Sequence, residues 1–141
     1  MGELGSALLQ LKQMIEGAQS EIDLGRAHSC GTLAIAGSVR ASDLICDASL
    51  GYHSIAASHQ AAGDLLSQIG GNENFVEDFS FCNARKTEFN YHTSDLTIED
   101  AREVLECAKH LAMEALRLIT IKGWFPSTER VESFRFISSH T

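Results

Sequence analysis

The chain has 141 residues, 19 acidic against 11 basic side chains, and a formal net charge of −8 at pH 7. That length suits one domain with a core of its own. The acidic balance weighs against a broad basic surface for long nucleic acid, since phosphate binding draws on clustered Lys and Arg, although a small basic patch stays open. Hydrophobic content of 44% with one Pro and 7% aromatic residues favours helices over a sandwich or barrel. No apolar run reaches the ~18 residues a membrane helix requires, so no membrane association is expected.

The first helix is predicted from Leu4 to about Ile22, with Leu4, Leu8, Leu11, Ile15 and Ile22 on one side and Lys12, Gln13, Glu16 and Gln19 on the other. Gly25 marks a break. A second helix is expected from about His28 to Leu50, and Gly51 ends it. Its Gly31, Ala34, Gly37 and Ser38 would let another helix approach closely. A connector follows from Tyr52 to Ala57, and Ser58 can cap a short helix running to Ile69. Gly70-Gly71-Asn72 reads as a turn.

The next helix is expected from about Glu73 to Tyr91, with Phe75, Phe79, Cys82 and Phe89 on one stripe. Lys86 falls on the same stripe, which means that its ammonium either snorkels past an apolar wall or faces a cavity or partner. Thr97 with Asp100 has the spacing of a capping box for the last long helix. In that helix Ile98, Ala101, Leu105, Ala108, Ala112, Ala115 and Ile119 form a seam in which four of seven positions are Ala, and Gly123 ends it. The chain therefore divides into a helical bundle over 1–123 and an aromatic tail over 124–141. Trp124, Phe125, Phe134, Phe136 and Ile137 are too apolar for an idle linker, so the tail either folds back over the bundle or reaches a partner. The last residues, Ser138 to Thr141, are expected to fray.

Cys30, Cys46, Cys82 and Cys107 form no CxxC pair and read as reduced, mostly buried thiols of a cytoplasmic protein. His28, His53, His59 and His110 form no metal-binding pattern, so no metal or cofactor is expected. Gly70-Gly71 lacks the Lys-Ser/Thr of a phosphate-cradling loop, and Ser54, Ser58 and His59 show no nucleophile elbow. One pairing suggests chemistry. Arg85 and His92 are separated by six residues, close to two helical turns, so both would project from one face if the helix extends that far. Thr93-Ser94-Asp95 could instead end it early. In a metal-independent RNA cleavage His92 would transfer the proton and Arg85 would hold the scissile phosphate. Glu88, between them, would favour the imidazolium form of His92, and Asn90 and Tyr91 would offer hydrogen bonds. An Arg–Glu–His ladder is equally an ordinary solvated helix face.

The order of elements resembles the HEPN superfamily of small bacterial α-helical proteins over roughly Leu4 to Ile121. The stretch from Ala84 to Leu118, with Arg85-Lys86, Phe89-Asn90-Tyr91 and Leu96-Thr97-Ile98-Glu99-Asp100-Ala101, carries most of the likeness. The resemblance implies an all-α, up-and-down bundle of four main helices, here joined by a short one, and a homodimer. Many members of that family are metal-independent ribonucleases of toxin–antitoxin or phage-defence systems, often beside a nucleotidyltransferase-type antitoxin. Others are binding modules. Its signature, an Arg and a His with four to six residues between them, implies catalytic roles for Arg85 and His92, with Lys86, Glu88, Asn90 and Tyr91 tuning a site for RNA or nucleotide. Lys86 departs from the Asn, Asp or His that active members carry after the Arg, and resembles instead a less characterised branch that keeps a Lys and a Tyr. The competing expectation is a non-catalytic protein-interaction module with the tail as its docking arm.

Overall fold

Small residues set the spacing of the helices in this protein, and large apolar ones fill what remains. The computed structural model describes residues 2–53, 59–69, 74–91, 96–125 and 131–134. They form α1 (Gly2–Asp23), α2 (Ala27–Leu50), α3 (His59–Ser67), α4 (Asn74–Tyr91) and α5 (Ile98–Ile121), followed by a single 3-10 turn at Val131–Phe134. The architecture is the expected all-α bundle of four long helices and a short one, with boundaries within a few residues of those read from the sequence. The Ser58 cap, the Gly70-Gly71-Asn72 turn, the Thr93-Ser94-Asp95 stop and the end from Phe136 to Thr141 lie outside the described residues, as does most of the Tyr52–Ala57 connector.

The helix ends follow local rules. Thr97 Oγ1 accepts a hydrogen bond from the Asp100 backbone N–H at 3.1 Å, and Asp100 Oδ2 accepts one from the Thr97 N–H at 3.0 Å, closing the capping box. Both α1 and α5 stop in the same way, with Gly25 and Gly123 in the left-handed region at φ 76° and 75°. The following N–H then turns back to the last helical turn, Arg26 to the Glu21 carbonyl at 2.8 Å and Trp124 to the Ile119 carbonyl at 3.0 Å. Only glycine takes that backbone conformation without strain, so these two positions fix where the chain reverses.

Gly17 meets Leu33 and Gly37 meets Ile15, so α1 and α2 run antiparallel. Gly31 against Phe89 sets α4 antiparallel to α2, and the Cys82 thiol, 3.7 Å from the Val104 carbonyl, sets α5 antiparallel to α4. Helices α2 and α5 therefore share a direction and lie across the middle of the bundle. Helix α2 packs against α1, α3, α4 and α5, and α5 packs against α1, α2 and α4. Ala101, Ala108, Ala112 and Ala115 of α5 are fully buried, as are Ala34 and Ala41 of α2. Their short side chains allow the close central approach that the sequence pattern predicted. Around this seam Leu8, Leu11, Ile15, Leu44, Ile45, Phe79, Phe89, Leu111 and Ile119 supply the bulk of the core. Each stabilises the fold by roughly 1.5–3 kcal/mol through surface removed from water.

The tail contributes to this core. Phe134 is completely buried, its ring meets Phe125 edge-on at 5.4 Å between centroids, and Lys12 Nζ of α1 lies 5.8 Å from its centre.

Candidate functional site

Arg85 sits six residues before the end of α4, beside the start of α5. Its Nη2 is 2.8 Å from Asp100 Oδ1, and its Nε is 3.4 Å from Glu88 Oε1, an ion pair without hydrogen-bond alignment. The guanidinium carbon lies 5.7 Å from the centre of the Phe81 ring. Asp100 thus uses one oxygen to cap α5 and the other to hold Arg85. Those two bonds, the Thr97 N–H first, pull its carboxyl below the ordinary aspartate range. The arrangement ties the end of one helix to the beginning of the next. Arg85→Ala should therefore destabilise the fold by about 1–2 kcal/mol through the lost pair and ring contact, measurable as a shift in urea midpoint. Arg85→Lys, which keeps charge but not the planar fork, should recover only part of it.

Of the other residues expected around Arg85, Glu88 is half-exposed and faces it. Helix α4 reaches Tyr91, and the side chains of Asn90 and Tyr91 and all of His92 lie outside the described residues. The Phe89 carbonyl nearby accepts a hydrogen bond from Thr32 Oγ1 at 3.2 Å, which adds a polar tie between α4 and α2.

Lys86 does not simply pass an apolar wall. It lines an open groove of about 400 Å³ together with Met14 of α1 and Thr32, Ala36, Val39, Arg40 and Asp43 of α2. The groove exists because α1 and α4 flank α2 and leave one of its stripes uncovered, residues 32, 36, 39, 40 and 43 recurring at helical spacing. Its floor is apolar, and two cations, a hydroxyl and one carboxylate stand around it. Burial pushes the Asp43 carboxyl up from the usual aspartate range, against the pull of His53 and Arg40.

The same stripe continues to Asp47, whose Oδ1 lies 2.8 Å from Nδ1 of His53 just past the end of α2. That hydrogen bond, helped by the charges of Asp43 and Asp47 and opposed by burial and Arg40, raises the His53 pKa above the ordinary imidazole value. A raised folded-state pKa means that folding favours the charged ring. The stabilisation is complete below the unfolded imidazole value of about 6.5 and is lost as pH rises through the folded one. The thermal midpoint should thus fall from pH 6 to 8 more steeply in the wild type than in Asp47→Asn, and an NMR titration of His53 should show the raised midpoint directly.

Cys30, Cys46 and Cys82 are buried and Cys107 is half-buried, all as free thiols. Burial pushes Cys30 and Cys46 up to about 11, Cys82 to about 12 and Cys107 further still, so none is a thiolate nucleophile near neutral pH. His110 pairs with Asp78 at 3.5 Å and Glu106 at 3.8 Å on the surface of α4 and α5. His28 lies against Phe89, with 6.3 Å between ring centres. Among the described residues no three His, Cys, Asp or Glu side chains are placed to hold a metal.

One group was passed over in the sequence. Lys109 of α5 is only 1% exposed, and its Nζ donates to Gln19 Oε1 of α1 at 2.6 Å. Leu105, Lys109, Ala112 and Leu116 follow a 4–3–4 spacing on α5, so a charge on an apolar face was legible there.

Fold and site together define a class, an all-α helical bundle with a mixed-charge groove beside its central helix. Comparison with known proteins takes the matter no further: no family model, no curated protein and no solved structure matches the chain. Among the described residues no helix is long and apolar enough to cross a membrane.

Proposed function

We propose that the protein is a HEPN-like RNA- or nucleotide-binding bundle that takes a short phosphate-bearing ligand in the groove of α1, α2 and α4. The observation that carries this reading is the placement of Lys86 and Arg40 on one 400 Å³ groove. Two cations can hold a phosphodiester, the Thr32 oxygen, whose proton goes to the Phe89 carbonyl, can accept from a ligand hydroxyl, and the Met14–Ala36–Val39 floor suits the face of a base. Asp43 can accept from an exocyclic amine. A net charge of −8 fits a ligand of one or a few nucleotides better than a long strand. Arg85 supports binding over cleavage, because its guanidinium is already engaged by Asp100 and Glu88. Lys86 directly after it supports the same choice. The homodimer, the nucleotidyltransferase-type partner and the cytoplasmic toxin–antitoxin or defence setting that the resemblance implies belong to this proposal.

Fluorescence anisotropy with a labelled short RNA, in EDTA and at several salt concentrations, tests it. Lys86→Ala and Arg40→Ala should each weaken binding about tenfold, the loss of one charge-assisted contact. Each should also flatten the logarithmic salt dependence by about 0.7, the single-strand value per phosphate contact. Absence of wild-type binding to RNA and mononucleotides, or binding indifferent to both changes, would sink the proposal. Cleavage of that RNA in EDTA, abolished by His92→Ala in a folded protein, would put the ribonuclease reading in its place.

A further inference from the structure

Taking a lysine ammonium out of water costs several kcal/mol unless other groups repay it, and a methionine would fill the place of Lys109 without that cost. The side chain nevertheless sits at 1% exposure and donates a hydrogen bond to Gln19 Oε1, whose amide in turn donates to Asp23 Oδ1 at 3.0 Å. It is not sealed in. Lys109 lines a cavity of about 250 Å³ between α1 and α5, walled by Gln19, Ile22, Asp23, Arg102, Leu105 and Glu106. A buried amine that opens on a small chamber, held by a neutral acceptor and flanked by two carboxylates, has the parts for condensation with a carbonyl compound.

We propose that Lys109 is a carbonyl-reactive lysine whose ε-amine forms an imine with a small uncharged aldehyde admitted to this cavity. The chamber, at about 250 Å³, has room for a small molecule of roughly ten heavy atoms, and Asp23 and Glu106 on its wall disfavour an anion. Arg102 does not reverse that sign, since Glu99 engages it at 2.7 Å. Burial brings the Lys109 pKa down from the ordinary lysine range, against the opposing pull of Glu106 and Asp23, and so enlarges the share of free amine.

The step balances without an oxidant or reductant. A carboxylate of the wall, Glu106 or Asp23, takes a proton from the ammonium. The nitrogen lone pair forms a bond to the carbonyl carbon, the C=O electron pair moves to oxygen, and the nitrogen's second proton passes to that oxygen. The hydroxyl then leaves as water with the proton returned by the carboxyl, the nitrogen lone pair closes the C=N bond, and the imine is left protonated on nitrogen. One aldehyde and one amine give one imine and one water.

The chain supplies its own controls, because it has four lysines, Lys12, Lys86, Lys109 and Lys122. The full-length protein is exposed briefly to limiting propionaldehyde with sodium cyanoborohydride at neutral pH, and each lysine's alkylation is read by peptide mass spectrometry. The inference requires Lys109 to be labelled first, about fivefold or more ahead of the other three, with the preference lost in urea. A merely buried lysine is the slowest of the four in the native protein. Labelling of Lys109 last, or at the common rate, overturns the inference and leaves the RNA-binding proposal untouched.

Discussion

A methyl group added at Gly31 will destabilise the protein by about 2–3 kcal/mol, although glycine-to-alanine in a helix ordinarily stabilises by up to ~1 kcal/mol. The Cβ of an alanine there would stand 2.0 Å from Cδ1 of Phe89, 2.2 Å from Cε1 and 2.5 Å from Cγ. No real contact is that short, and the obstacle is the body of a fully buried ring rather than the end of a flexible chain. The ring must move, and with it the end of α4 that the Thr32 hydroxyl ties to α2. Urea unfolding should show the lower midpoint. Gly31→Ala combined with Phe89→Leu should cost less than the sum of the two changes, because the smaller side chain vacates the space the methyl needs. A Gly31→Ala protein as stable as the wild type would mean that α4 does not seat on α2 at this notch. The notch also bears on the proposed binding groove, since it sets where Lys86 meets the α2 stripe.

Phe134→Ala should cost about 3 kcal/mol, a core-sized loss from a residue outside the four long helices. Phe134 is fully buried against Phe125 with the Lys12 ammonium over its ring, so truncation removes apolar area, an edge-on aromatic pair and a cation–π contact together. Phe134→Leu should recover more than half. The measurement is again the urea midpoint at unchanged slope, which separates lost stability from a change in the unfolded chain. It also decides between the two roles expected of the tail: a docking arm held for a partner would leave the free protein's stability unaltered when Phe134 is cut back.

These effects arise from residues of very different visibility. Periodicity and capping exposed the helices because they depend on neighbours three or four positions away, which the sequence lays out in order. The alanine seam of α5, the Thr97–Asp100 box and the Gly25, Gly51 and Gly123 stops were all readable on that basis. The candidate site was only half readable. Arg85, Lys86 and Glu88 were singled out for their chemistry and spacing, but what each faces depends on how α4 is set against α2 and α5. Arg85 proves to hold Asp100, fifteen residues onward and on another helix. Lys86 proves to share a groove with Arg40, a residue given no role in the sequence.

The sequence by itself determined the class of this protein, the number and ends of its long helices and the close packing of its centre, because local hydrogen bonding and side-chain size govern all three. Only the tertiary structure decided that Gly31 receives Phe89, that the tail returns Phe134 to the core, and that Gln19 reaches Lys109 from ninety residues away. Those contacts are fixed by the mutual rotation and register of whole helices. Many distant packings must be satisfied at once to set them, and no short window of sequence contains that information.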